Sequence, residues 1–95
     1  MPDLHSILKR LREDEVKRFG VERIGVFGSF TRNEQHPASD LDILVEFQSG
    51  KKTFDNYMEL KFHLEERFGL PVDLVIAETI KPDLKAAILG SVQYA

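Results

Sequence analysis

Asp40 and Asp42 stand one residue apart in SDLDILVEF, and Asp73 stands in PVDLVIA. Shortly before the first pair, the run RIGVF ends in Gly28-Ser29. Carboxylates near a Gly-Ser turn suit one kind of chemistry, the holding of a divalent cation against a phosphate. In a strand, residues two apart share a face and lie about 7 Å apart. Asp40 and Asp42 then point the same way as Leu44 and Glu46, while Leu41, Ile43, Val45 and Phe47 face the core. Alone, that is the ordinary pattern of a half-solvated strand. Asp73 changes the weighing. Val72, Leu74 and Ile76 take one face of its strand, and Val75 and Ala77 share the other with Asp73. A strand apolar on both faces is expected to be central and covered, where an unpaired charge is costly. The plainer alternative is an aspartate at a strand end, satisfied by water or by a helix N-terminus.

If the three acids converge, two carboxylates about 5 Å apart repel by about 3 kcal/mol at an effective dielectric near 20. A divalent ion with oxygen ligands offsets this. Mg²⁺ takes one or two carboxylates plus substrate phosphates, and two such ions can clamp the attacking and leaving oxygens of an in-line displacement. The Gly28-Ser29 turn supplies the other half. A strand ending there before a helix presents free backbone N–H groups and a positive helix end, an anion seat. Ser29 adds a hydroxyl donor, and Arg32 lies within reach of the same phosphates. A bare Gly-Ser is common punctuation, and its force comes from lying close before Asp40.

These residues need elements to position them. Leu4, Ile7, Leu8 and Leu11 recur at helical spacing, which predicts a helix over about 3–19 ended by Gly20. Residues 23–27 are expected as a short strand, 30–34 as a short helix opened by Ser29, and 40–47 as an alternating strand. Phe54, Tyr57, Met58, Leu60, Phe62, Leu64 and Phe68 mark a helix closed by Gly69. A strand is expected over 71–77 and a last helix over 79–89, with Pro82 near its first turn. The tail from Ser91 to Ala95 fits a brief extended segment. The order α-β-α-β-α-β-α predicts an α/β (α+β) fold, a small mixed sheet flanked by helices, in one domain over 1–95.

With the elements in place, GSFTR, SDLDILVEF and VDLV together resemble the minimal nucleotidyltransferases of the DNA polymerase β superfamily. The likeness runs over about 23–94. The family's usual Gly-Ser-Phe/Tyr-Ala-Arg-Gly has Thr31 and Asn33 here in place of its alanine and glycine. The resemblance implies a polymerase β-like fold and a set of roles. Gly28 and Ser29 would bind the β and γ phosphates of a nucleoside triphosphate, with ATP as substrate. Asp40 and Asp42 would ligate Mg²⁺, with two ions expected. Asp73 would complete the metal site and help deprotonate the acceptor, and Arg32 would neutralise phosphate charge. It also implies a small helical HEPN protein as partner, toxin to this chain's antitoxin, adenylylated on a tyrosine.

Composition narrows the rest. The 95 residues hold 42% hydrophobic and 31% charged side chains, and the net charge is −3. That balance gives no broad cationic surface, so strong nucleic-acid binding is not expected. Zero cysteines exclude disulfides and thiolate zinc sites. MPDLHSILKRLRED has no long apolar run, so neither a signal peptide nor a membrane span is expected, and a cytoplasmic protein follows. His5, His36 and His63 share no metal-ligand spacing. Glu65-Glu66-Arg67 is expected as a solvated helix face, and Phe54, Tyr57, Phe62 and Phe68 as core, with Tyr94 or one of these available to line a partner surface. Homo- or hetero-oligomers both remain open. Two other functions fit the same residues: a non-catalytic binding antitoxin or adaptor, and a hydrolytic metal site. Neutralisation that survives Asp42→Asn favours the first, and release of nucleotide without transfer favours the second.

Overall fold

The computed structural model describes residues 3–14, 16–28 and 40–95. The expected helix over 30–34, and with it Ser29, Arg32 and His36, lies outside them. Helix α1, Leu4–Glu13, opens where the Asp3 carboxylate accepts a hydrogen bond from the Ser6 N–H at 2.8 Å. It buries Ile7 and Leu11. The expected helix over 3–19 stops short, because Asp14 takes an extended conformation with ψ 156°. A separate 3₁₀ turn, Val16–Phe19, then buries Val16 and Phe19. The tighter turn points both apolar side chains inward where a continued α-helix would carry them round.

Strand β1, Val21–Phe27, begins two residues earlier than the sequence pattern predicts, and β2 spans Leu41–Phe47. Helix α2, Phe54–Phe68, is capped by the Thr53 hydroxyl, which accepts from the Asn56 N–H at 3.1 Å, and ends at Gly69 with φ 66°. Strand β3 is Val72–Ile76. The expected helix over 79–89 resolves into a 3₁₀ turn, Ala77–Thr79, and helix α3, Pro82–Ser91, which runs through Gly90. Pro82 starts it because proline's fixed φ suits a first helical position. The tail forms β4, Gln93–Tyr94.

The sheet order is β3-β2-β1-β4, with β1 antiparallel to β2 and β4, and β2 parallel to β3. It is therefore a mixed sheet, as expected. One face carries Ile24, Val26, Leu41, Ile43, Val45, Val72 and Leu74, packed against Ile7 and Leu11 of α1 and Leu60, Leu64 and Phe68 of α2. The Tyr57 hydroxyl donates to the Leu74 carbonyl at 2.7 Å and ties α2 to β3. The other face is covered too along part of β2. Leu44, which shares the face of Asp42, is 0% exposed.

Two expectations about burial are overturned. Among the described residues β3 lies at the sheet edge rather than in its centre, and Asp73 is exposed. Its apolar pattern is met by half-burial of Val75 and Ile76. Phe54 and Phe62 are not core, being 76% and 58% exposed. Phe62 stands two residues from both Leu60 and Leu64, about 200° round the helix, and Phe54 is the first residue of α2, where little packs over it. Glu65-Glu66-Arg67 is only partly a solvated face, since Glu65 accepts from the Val72 N–H at 3.0 Å and Arg67 pairs with Asp14 at 3.3 Å.

Candidate active site

Strand pairing brings two of the acids together. Asp42 on β2 is in register with Asp73 on β3, and on its other side it faces Phe27 on β1. Register partners in a parallel pair point to the same face, with backbones about 4.8 Å apart. Two carboxylates thus stand side by side at one end of the sheet. Asp42 is half-buried and Asp73 exposed. Asp40 lies just before β2 and is exposed. The next bond along the chain, from the Leu41 N–H to the Pro71 carbonyl at 2.9 Å, fixes the entry to both strands.

Gly28 follows β1 directly, at φ 76°. A Cβ at this position would overlap the Asp42 carboxylate and lie 3.0 Å from its Cγ. Both facts require glycine, the first because L side chains rarely adopt that backbone, the second because the carboxylate packs on the bare Cα. The expected phosphate turn and the expected metal ligand are therefore in contact at Gly28. Ser29 and Arg32, the other expected phosphate contacts, fall outside the described residues.

The three acids do not close into one group. Among the described residues, no three His, Asp or Glu side chains lie within metal-binding reach of one another. Register fixes Asp42 beside Asp73, whereas Asp40 lies ahead of the strand and outside that pairing. The donor chemistry nonetheless fits Mg²⁺, being carboxylate oxygen throughout.

A cavity of about 250 Å³ opens beside Gly28 and Asp42, walled by Phe27 and by Ala87, Ile88 and Ser91 of α3. Nothing in the amino-acid sequence singles out these four residues. The spacing 87, 88, 91 places them on one helical face, but which strand end that face meets is a long-range fact. A larger groove, about 620 Å³, lies at the opposite end of β1, away from the aspartates. Size alone would select it, but chemistry selects the smaller cavity. His63, expected to be non-catalytic, binds Asp14 through Nε2 at 2.7 Å, far from this site in the chain.

The chain matches the nucleotidyltransferase domain family over residues 7–95. The protein adenylyltransferase MntA of Thermococcus cleftensis is 38% identical over 94 residues, covering 99% of this chain and 94% of that relative. An inferred protein adenylyltransferase of Methanocaldococcus jannaschii is 49% identical over 73 residues, 77% of each chain. Among solved structures, an inferred minimal nucleotidyltransferase superposes with a TM-score of 0.78 at 35% identity, covering 97% of this chain and 95% of that one. A toxin–antitoxin complex with AMP-PNP shares the fold at a TM-score of 0.72 and 22% identity, covering 90% of this chain and 69% of that one. No helix among the described residues is long and apolar enough to cross a membrane.

Proposed function

The chain belongs to the nucleotidyltransferase domain family, as a minimal nucleotidyltransferase, and on that premise we propose that it transfers AMP from ATP to a hydroxyl of a partner protein. The observation that carries this reading is Asp42 standing beside Asp73 in register, with its carboxylate packed on Gly28. In the proposed reaction the Gly28 backbone and the Ser29 hydroxyl hold the β and γ phosphates, and Arg32 balances their charge. Asp40, Asp42 and Asp73 would hold Mg²⁺, whose chemistry when bound is to neutralise the triphosphate and its leaving group. Asp73 Oδ takes the proton of the acceptor hydroxyl. That oxygen bonds to the α-phosphorus as the bond to the β-phosphate oxygen breaks, and pyrophosphate leaves. The exposure of Asp73 suits this role, because the acceptor arrives on another protein. Positioning and charge stabilisation carry the rate.

We read the acceptor as a tyrosine of a small helical HEPN-type protein, with this chain as its antitoxin in the cytoplasm. The name of the 38% identical relative, protein adenylyltransferase MntA, supports the reaction class. The toxin–antitoxin structures of the same fold are compatible with the pairing. The test is to incubate the chain, ATP and Mg²⁺ with a HEPN protein encoded beside it, and to read the partner by mass spectrometry. Gain of AMP on a tyrosine is the expected result. Free AMP with an unmodified partner would replace transfer by hydrolysis. One observation favours a second reading, a non-catalytic binding module: the three acids do not close into one ligand group among the described residues. Neutralisation of the partner by the Asp42→Asn chain as fully as by wild type would establish it.

A further inference from the structure

Strand pairing ties the cavity of about 250 Å³ to the end of the sheet that carries Asp42. β4 lies antiparallel to β1, with Gly25 opposite Tyr94 and Val26 opposite Gln93. Carried on by two residues, that register sets Ser91 across from Gly28, and both line the cavity. The approach is close. A Cβ at Gly25 would lie 2.8 Å from the Gln93 carbonyl oxygen and 2.9 Å from a Val92 methyl. The bare Cα lets the segment that follows α3 settle on β1. The last turn of α3 is thereby held beside the expected phosphate turn.

The lining of this cavity has a definite polarity. Ser91 is half-buried, and its hydroxyl donates to the Ile88 carbonyl at 3.2 Å, which also accepts from the Val92 N–H at 3.0 Å. With its proton committed to that bond, Ser91 Oγ keeps its lone pairs for another donor. Asp42 adds carboxylate oxygens, and α3 brings its C-terminal end, the negative end of the helix dipole. Against these acceptors stand the apolar side chains of Phe27, Ala87 and Ile88. Acceptors over apolar walls disfavour a phosphate and suit a group that carries hydroxyl donors and C–H faces. A ribose is such a group. The space is smaller than the roughly 300–1,000 Å³ of a pocket for a whole drug-sized ligand, which suits one part of a nucleotide.

Resting on the reading of the chain as a nucleotidyltransferase, we propose that this cavity seats the ribose of the bound nucleotide, with a sugar hydroxyl donating to Ser91 Oγ. In a triphosphate whose β and γ phosphates lie at Gly28, the sugar follows the α-phosphate and comes next to Asp42. The C–H face of the ring lies on Phe27 and Ile88, and the small side chain of Ala87 leaves room for it. Ser91 and Ala87 are then specificity determinants of the transfer. The first selects nucleotides that carry sugar hydroxyls, because an analogue without them leaves the serine oxygen unpaired. The second sets the space that a sugar requires and a bare polyphosphate does not.

The test is calorimetry with Mg²⁺ present, using ATP, 2′,3′-dideoxy-ATP and inorganic tripolyphosphate on wild type, Ser91→Ala and Ala87→Leu. Wild type should bind ATP about tenfold more tightly than the dideoxy analogue, the scale of one net hydrogen bond. Ser91→Ala should bind ATP about tenfold more weakly than wild type does, and the analogue equally well. Ala87→Leu should lose about tenfold for both nucleotides, as a filled cavity would. Tripolyphosphate binding should match wild type in both variants, which also shows that they are folded. Equal binding of ATP and its dideoxy analogue by wild type would overturn the proposal. Undiminished ATP binding by either variant would overturn it as well. If Ala87→Leu also loses transfer to the partner while binding ATP fully, the cavity belongs to the acceptor side chain instead. Wild type that binds neither ATP nor tripolyphosphate would sink the nucleotidyltransferase reading itself. Tripolyphosphate binding with no preference for the sugar hydroxyls would sink the ribose seat alone.

Discussion

Two places in this molecule gather acidic side chains near other ionisable groups, and they are built on opposite terms. At the junction of α1 and α2, the Asp14 side chain is 4% exposed and both its oxygens are engaged, by His63 at 2.7 Å and Arg67 at 3.3 Å. At the end of β2, Asp42 and Asp73 stand beside each other in register, with Gly28 against Asp42. The first arrangement brings opposite charges and ring donors to one carboxylate. The second brings like charges together. Opposite charges attract in the first, whereas two adjacent carboxylates repel, and a bound cation between Asp42 and Asp73 would offset that repulsion. The lesson is that the setting of a carboxylate, not its burial, separates a staple from a site: the more buried acid is the structural one.

The comparison breaks most decisively at Asp42. Asp42→Asn should lower AMP transfer by about 10²–10³-fold, the scale of removing one preorganised charge-stabilising group, with cooperative unfolding retained in a thermal melt. Asp14→Ala should do the reverse. It leaves His63 and Arg67 without their carboxylate and costs about 1–3 kcal/mol in chemical denaturation, with transfer per folded molecule unchanged. Loss of transfer in Asp14→Ala at wild-type stability would erase the distinction. Gly28→Ala should affect both readouts. The positive φ costs about 1–2 kcal/mol for an L side chain, and the added methyl displaces the Asp42 carboxylate, so ATP binding falls as well. Removing the α2 cap with Thr53→Ala should cost about 1 kcal/mol and leave ATP binding alone. Asp73→Asn sharpens the contrast at the low end. Because Asp73 is exposed, stability should stay within about 0.5 kcal/mol of wild type while transfer is lost.

Much of this was legible in the chain because it depends on local pattern. The alternation of Leu41, Ile43, Val45 and Phe47 marks β2 and its core face, and Gly69 marks the end of α2. The GSFTR, SDLDILVEF and VDLV runs identify the family before any coordinates. What was not legible depends on contacts distant in sequence. Asp14 sits inside a run that reads as continuous helix, and nothing near it indicates His63, 49 residues on. The apolar pattern of β3 predicts a central strand, and only the order β3-β2-β1-β4 places it at the edge with Asp73 exposed. Phe54 and Phe62 count as core in a composition of hydrophobic residues, yet helical phase sets Phe62 opposite Leu60 and Leu64, and Phe54 stands exposed at the start of α2. The site was legible as residue types, and its central contact, Gly28 on Asp42, only as geometry.

The most direct test of the central claim is calorimetry of ATP binding, with and without Mg²⁺, on wild type and on Asp42→Asn. Mg²⁺ should tighten ATP binding to wild type by at least about tenfold, the scale on which a metal site depends on the groups that hold it, and leave binding to Asp42→Asn unaffected. Equal binding with and without Mg²⁺, or an equal gain in the variant, would contradict the reading of Asp42 as the ligand that joins metal and triphosphate.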